Sequence, residues 1–157
     1  MTIRRAIPKD LDAINSLLHQ VYAVHQSGRP DLFRPVSKKY TDEQILSILA
    51  DDSTPVFAAV NDRDEMIGYA FCILQTHAED NRYKPGLSSL YIDDLCVDEK
   101  SRGQHVGTQL YEYVCSYAKA IGCYNVTLNV WSCNEKALGF YEHIGLKPFE
   151  VGMEKIL

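Results

Sequence analysis

Apolar positions along this chain switch repeatedly between the two-residue period of a strand and the three-to-four-residue period of a helix. Residues 2–6 read as a short first strand, closed by Pro8. Leu11, Ile14, Leu17, Leu18 and Val21 then fall on one helical face, with Asp10 placed to cap it. Residues 25–40 carry Gly28, Pro30 and Pro35 and do not form one continuous helix. Thr41 opens a second helix, with Gln44 completing a capping box ahead of Ile45, Ile48 and Leu49. Residues 56–60 and 66–75 read as strands joined by the polar hairpin 61–65, and residues 76–88, with Pro85 and Gly86, as a loop.

Residues 90–97 form a fourth predicted strand. The helix after it shows Val106, Leu110, Val114, Tyr117 and Ile121 on one face, and Gly122 is placed to stop it. Residues 126–130 read as a fifth strand. Asn134 caps a helix carrying Ala137, Leu138, Tyr141 and Ile144 that ends at Gly145, and residues 147–156 read as a last strand. The order is β-α-α-β-β-β-α-β-α-β. It predicts one α/β domain over residues 1–157, a mixed twisted sheet with helices on both faces.

Composition narrows the classes. A chain of 157 residues that is 46% apolar buries a proper core. A net charge of -5 argues against nonspecific nucleic-acid binding and suits a cationic small molecule. The five cysteines are odd in number and contain no Cys-x-x-Cys, so neither a disulfide framework nor a zinc site is expected. Cys96, inside an apolar run, reads as a buried thiol of a reducing compartment. No leading apolar segment and no run of membrane-spanning length occurs, so the expectation is a cytoplasmic protein with no membrane partner.

The segment Arg102-Gly103-Gln104-His105-Val106-Gly107-Thr108 stands between the fourth strand and a long helix. A turn of small residues opening a helix leaves backbone N–H groups without intrahelical partners, at the positive end of the helix dipole. That is a ready site for phosphate or pyrophosphate. The spacing matches neither a Walker A loop, whose lysine is missing, nor a dinucleotide fingerprint. A glycine-softened helix start with no ligand is the plain alternative.

Two segments together resemble the GNAT superfamily of acyl-coenzyme A-dependent N-acetyltransferases. The first is Arg102 to Gly107, similar to the family's Arg/Gln-x-x-Gly-x-Gly/Ala loop. The second is Leu128-Asn129-Val130-Trp131, then Asn134, then Phe140-Tyr141-Glu142-His143-Ile144-Gly145-Leu146, similar to its strand, Asn and Phe-Tyr-x-x-x-Gly helix. The resemblance covers about the last two-thirds of the chain and departs at His105, where the family usually has Gly. It implies the GNAT fold and acetyl-coenzyme A as co-substrate, with no metal. It implies that the loop from Arg102 to Thr108, with Asn134, holds the cofactor. It gives the main chain of Leu95, Cys96 and Val97 the task of polarising the thioester carbonyl and pairing with pantetheine.

Tyr141 is then the candidate acid for the departing thiolate, since a phenol keeps its proton at neutral pH; a plain core role is the alternative. Two adjacent carboxylates in an apolar strand, Asp93 and Asp94, are costly unless one faces a cleft. Strand alternation sends them to opposite faces, and Asp93 is read as the base or amine-binding residue. The segment from Tyr91 to Leu95 is similar to a run in polyamine acetyltransferases, where the first acid serves the amine. His25 and His77 lie in loops that would flank the cleft, and Trp131 packs near pantetheine or acceptor, or in the core. The expected reaction is acetyl transfer to a small primary amine, polyamine-like or amino-sugar, in a ternary complex. Loop 25–40, with Phe33 and Tyr40, would wall the site off. A protein N-terminal or lysine acetyltransferase and a non-catalytic acyl-coenzyme A binding module are the alternatives. A homodimer is compatible with all three.

Overall fold

Strand β2 (Val56–Val60) of the central sheet is buried on both faces, and its sequence shows why. The structure, a computed structural model, describes residues 1–34, 38–79 and 86–157. Pro35 and Pro85, read above as loop prolines, lie outside the described residues. The strands are β1 (Thr2–Arg5), β2 (Val56–Val60), β3 (Met66–Thr76), β4 (Ser88–Val97) and β5 (Asn125–Leu128). The helices are α1 (Leu11–Gly28), α2 (Asp42–Ala50), α3 (Val106–Ala120) and α4 (Glu135–His143). Along β2, Val56, Ala58 and Val60 join the layer of α1 and α2, with Ile14, Leu17, Leu18, Ile45 and Leu49. Phe57 and Ala59 join the opposite layer, with Val106, Leu110, Val114 and Ala118 of α3. Ile14 and Leu110 are fully buried, and each such side chain contributes about 1.5–3 kcal/mol.

The sheet runs β1-β2-β3-β4-β5. The first three pairings are antiparallel, and β4 with β5 is parallel. Two features of β4 shape what lies beside it. Its pairing with β5 runs only from Ser89↔Asn125 to Ile92↔Leu128. Residues 93–97 continue in β4 beyond the end of β5, so the two strands part there. On the other side, register with β3 steps from Cys72↔Ile92 to Phe71↔Asp94, leaving Asp93 as the extra residue of a β-bulge.

Several sequence expectations are met: α1 buries its predicted face, and the Thr41–Gln44 capping box forms in both directions. Gly122 and Gly145 end α3 and α4 with φ of 79° and 95°. Three expectations are corrected. Asp10 does not cap α1 by its side chain; its buried carboxylate accepts from the Ile7 N–H and pairs with Arg4 at 2.7 Å. Ile121 is exposed beyond the end of α3, and Ala118 takes its place on the buried face. Residues 147–156 form no strand. Phe149, Val151, Met153 and Ile156 are exposed, and Arg29–Glu154 is the ion pair that fastens this segment. A strand-like alternation becomes a strand only when a neighbouring edge offers its backbone groups, and β5 does not pair with this segment.

Candidate active site

The bulge at Asp93 reverses the expected orientation of the two acids. Leu90 and Ile92 face the α3 layer, and so do Leu95 and Val97. One extra residue between them resets the two-residue period, so Asp93 and Asp94 fall on the same face, toward α1 and α2. One cation reaches both. The Lys39 ammonium lies 2.7 Å from Asp93 Oδ2 and 4.0 Å from Asp94 Oδ2. The Tyr40 hydroxyl donates to Asp93 Oδ2 at 2.9 Å, and its ring stacks on Phe71 at 6.0 Å. The opposite-face expectation is thus overturned, because alternation holds only while the ladder is regular.

The two carboxylates nonetheless differ. Asp93 is half-buried and carries the direct ion pair. Asp94 is buried and accepts from the Tyr69 hydroxyl at 3.0 Å. Burial pushes its carboxyl up to about 6, against the opposing pull of Lys39 and of the Tyr69 hydrogen bond. For Lys39, burial works against the charge, yet Asp94 and then Asp93 hold its pKa above the usual lysine value. Sequence pattern alone assigns no chemistry to Lys39 or Tyr40. Both lie between α1 and α2, and nothing in a Lys-Lys-Tyr run announces that it folds back onto β4.

Tyr141 lies on α4, which buries no residue completely. Burial, then the nearby charge of Asp94, raises its phenol above the ordinary 10.0, so the proton stays on at neutral pH. The charge of Asp94 thus acts on Tyr141 as it does on Lys39. Cys96, on the α1 face, is buried and held up to about 12 by that burial. Its thiol donates to the Leu17 carbonyl at 3.5 Å, which is the structural role expected of it. Beyond Ile92, the Leu95–Val97 main chain lies along the open side of the gap.

The loop after β4 has the features of an anion cradle. Gly103 and His105 both adopt left-handed backbone, with φ of 75° and 60°. His105 precedes the first turn of α3, and no side chain caps that turn. Two left-handed residues before an uncapped helix start gather several N–H groups, the arrangement that suits pyrophosphate. His105 is exposed, so the loop's departure from Gly leaves the backbone free. Arg102 Nε donates to the Val97 carbonyl at 3.2 Å and Gln104 to the Lys100 carbonyl at 3.2 Å, tying the loop to the end of β4. Val106 is buried under the sheet, and Thr108 is half-buried. Gly107 has a second reason to be small: a Cβ there would lie 3.3 Å from Phe140 Cζ and 3.6 Å from Val97 Cγ2. Asn134 caps α4, accepting from the Ala137 N–H at 3.2 Å.

The far wall is aromatic. Trp131 is 40% exposed, which excludes the core role. Its ring meets Phe33 at 5.5 Å and His25 at 6.5 Å, with the Arg29 guanidinium 6.0 Å from its centroid. His25 stands in the last turn of α1 rather than in the loop expected for it; burial, with Lys39 adding to it, lowers its pKa and favours the neutral imidazole. Gly28 closes this corner, since a Cβ there would meet Cys133 Sγ at 2.5 Å. His77 lies outside the group; its N–H donates to the Leu87 carbonyl in the loop after β3. Among the described residues no His, Cys, Asp and Glu cluster is placed to hold a metal ion. No described helix is long and apolar enough to cross a membrane.

A parallel β4–β5 pair that parts beside a bulge, with a cradle at the head of the following helix, defines an acyltransferase fold. The chain matches the acetyltransferase (GNAT) family over residues 18–146 and belongs to that family. It is 33% identical over 93 residues to the peptidyl-lysine N-acetyltransferase YjaB of Escherichia coli, covering 59% of this chain and 50% of that one. It is 26% identical over 118 residues to the glucosamine 6-phosphate N-acetyltransferase of Arabidopsis thaliana, covering 75% of this chain and 68% of that one. The chain thus spans about half the length of the first relative and about two thirds of the second. The crystal structure of a tetramutant of the BH1408 protein of Bacillus halodurans superposes with a TM-score of 0.94, at 29% identity over 100% of both chains.

Proposed function

We propose that this protein transfers acetyl from acetyl-coenzyme A to a small primary amine, by direct attack in a ternary complex. The observation that carries the reading is the parting of β4 and β5 at Ile92 and Leu128, beside Asp94 and above the uncapped start of α3. The cofactor supplies a thioester, whose carbonyl carbon accepts the amine. The backbone of Arg102 to Thr108 would hold its pyrophosphate and Asn134 would flank it. The main chain of Leu95, Cys96 and Val97 would pair with pantetheine and donate to the carbonyl.

The acids divide the work. Asp94, with its carboxyl near pH 6, is the better base for an amine that must lose a proton before attack. Asp93, already holding one cation, is the better anchor for the incoming ammonium. Tyr141 keeps its proton and would give it to the thiolate. Sequence alone leaves either task to Asp93; the different burial of the two acids favours the division.

The acceptor class rests on the side chains gathered around Asp93 and Trp131. Lys39 and Tyr40 lie over Asp93, and Phe33 packs on Trp131, which suits a small cationic acceptor, polyamine-like or amino-sugar, better than a protein segment. Acetylation of a protein lysine is the second reading, favoured by the name of one relative. The exposed apolar residues of 147–157 support a homodimer, which sedimentation velocity would test. Thiol release from acetyl-coenzyme A against a panel of polyamines, amino sugars and lysine peptides tests the whole reading. Turnover with a small amine is expected. Turnover with peptides alone would favour the second reading, and cofactor binding without turnover would leave a non-catalytic binding module.

A further inference from the structure

The group nearest the two carboxylates is the chain's own primary amine. Lys39 Nζ is 2.7 Å from Asp93 and 4.0 Å from Asp94, with 35% of its side chain exposed. Its neighbour Lys38 points elsewhere, pairs with Asp42 at 3.2 Å and is 66% exposed. The charge of Asp94 raises the pKa of both Lys39 and Tyr141. An amine and two carboxylates are therefore assembled within one chain before any acceptor arrives. An intramolecular amine held this way has a large effective concentration.

We propose that Lys39 is a self-acetylation site, modified by the protein's own bound acetyl-coenzyme A when no acceptor displaces it from Asp93. The inference rests on the acetyltransferase reading above. The ammonium first gives one proton to Asp94, which passes it to solvent. The amine then attacks the thioester carbonyl, the new C–N bond forms and the C–S bond breaks. The second proton leaves the nitrogen for the thiolate, by way of Tyr141. The products are acetyl-Lys39, coenzyme A as its free thiol, and one proton. The acetylated side chain no longer carries the charge that bridges Asp93 and Asp94, so the segment between α1 and α2 loses this tether.

The test is peptide mass mapping of purified protein incubated with acetyl-coenzyme A alone, beside a second sample given trace acetic anhydride. The two reagents should rank the lysines in opposite order. Acetic anhydride should label Lys38 well ahead of Lys39, whose charged form the carboxylates favour. Acetyl-coenzyme A should label Lys39 first, at a first-order rate unchanged on tenfold dilution of the protein. Asp94→Asn should slow that labelling at least tenfold, and an excess of a good acceptor should suppress it. Circular dichroism and an unchanged anhydride pattern at Lys100 and Lys119 would show that the variant is folded. Absence of acetyl-Lys39 in a preparation that acetylates small amines would overturn the proposal and leave the function standing. A rate that falls with dilution would overturn it too, since the transfer would be between molecules. A preparation that modifies neither added amines nor Lys39 would sink both.

Discussion

The Tyr69 hydroxyl and the Asp94 carboxylate meet at 3.0 Å in the interior, across neighbouring strands of one sheet. The bond favours the ionised carboxylate and offsets part of the burial that pushes it up to about 6. Tyr69→Phe should therefore raise the acid limb of the kcat/KM profile by up to about one pH unit, equivalent to about 1.4 kcal/mol. A pH–rate profile of the folded variant checks this, and an unmoved limb would take Asp94 out of the base role.

Asp94→Asn should separate catalysis from stability. A carboxyl whose pKa is raised on folding binds its proton more tightly in the native state. Wild-type stability thus falls as pH rises from the ordinary 3.8 through about 6, and stays lower above. Asn carries no such penalty. At pH 7.5 the variant should gain stability over wild type, relative to the same comparison at pH 4, by an amount on the order of 2–3 kcal/mol. Its acid limb should vanish together with most of its turnover. Urea unfolding at the two pH values reads the first effect and steady-state kinetics the second.

Asp93→Asn should act on binding instead. The anchor for a cation is lost while the base remains, so acceptor KM should rise about tenfold or more, at about 1.4 kcal/mol per tenfold. The acid limb should stay. Loss of the limb in this variant would return the base assignment to Asp93.

Tyr141→Phe should lower kcat by roughly ten- to a thousand-fold with little change in cofactor KM, equal to about 1.4–4 kcal/mol of transition-state stabilisation. Steady-state kinetics with the best acceptor decide it, and wild-type kcat would make Tyr141 a packing residue.

Two loop variants should differ in sign. Gly107→Val drives its side chain against Phe140 and Val97, so a stability loss of about 1–3 kcal/mol should accompany at least tenfold weaker cofactor binding. His105→Gly relieves a left-handed residue with φ of 60°. It should stabilise by about 1 kcal/mol and leave cofactor binding intact. Calorimetric titration with coenzyme A beside thermal unfolding separates the two effects. Lost binding in a folded His105→Gly protein would make the imidazole itself a contact.

Local chemistry is legible in the amino-acid sequence itself. The apolar face of α1, the Thr41–Gln44 box, the glycine stops of α3 and α4, and the Asn134 cap depend on residues a few positions apart. Spacing within one turn or one strand is enough to specify them. The loop at 102–107 and the segment ending at Tyr141 could be found for the same reason, as short contiguous patterns. What the sequence alone left undecided depends on pairing between distant segments. The bulge that brings Asp93 and Asp94 to one face is a mismatch between β3 and β4, invisible in either strand alone. Lys39 reaches Asp93 across 54 residues, because Tyr40 stacks on Phe71 and brings the loop down. The alternating residues 147–156 lack a sheet partner and so form no strand. A side chain's neighbours along the chain specify its backbone, but the protonation state of Asp94 follows from which distant groups the fold places around it.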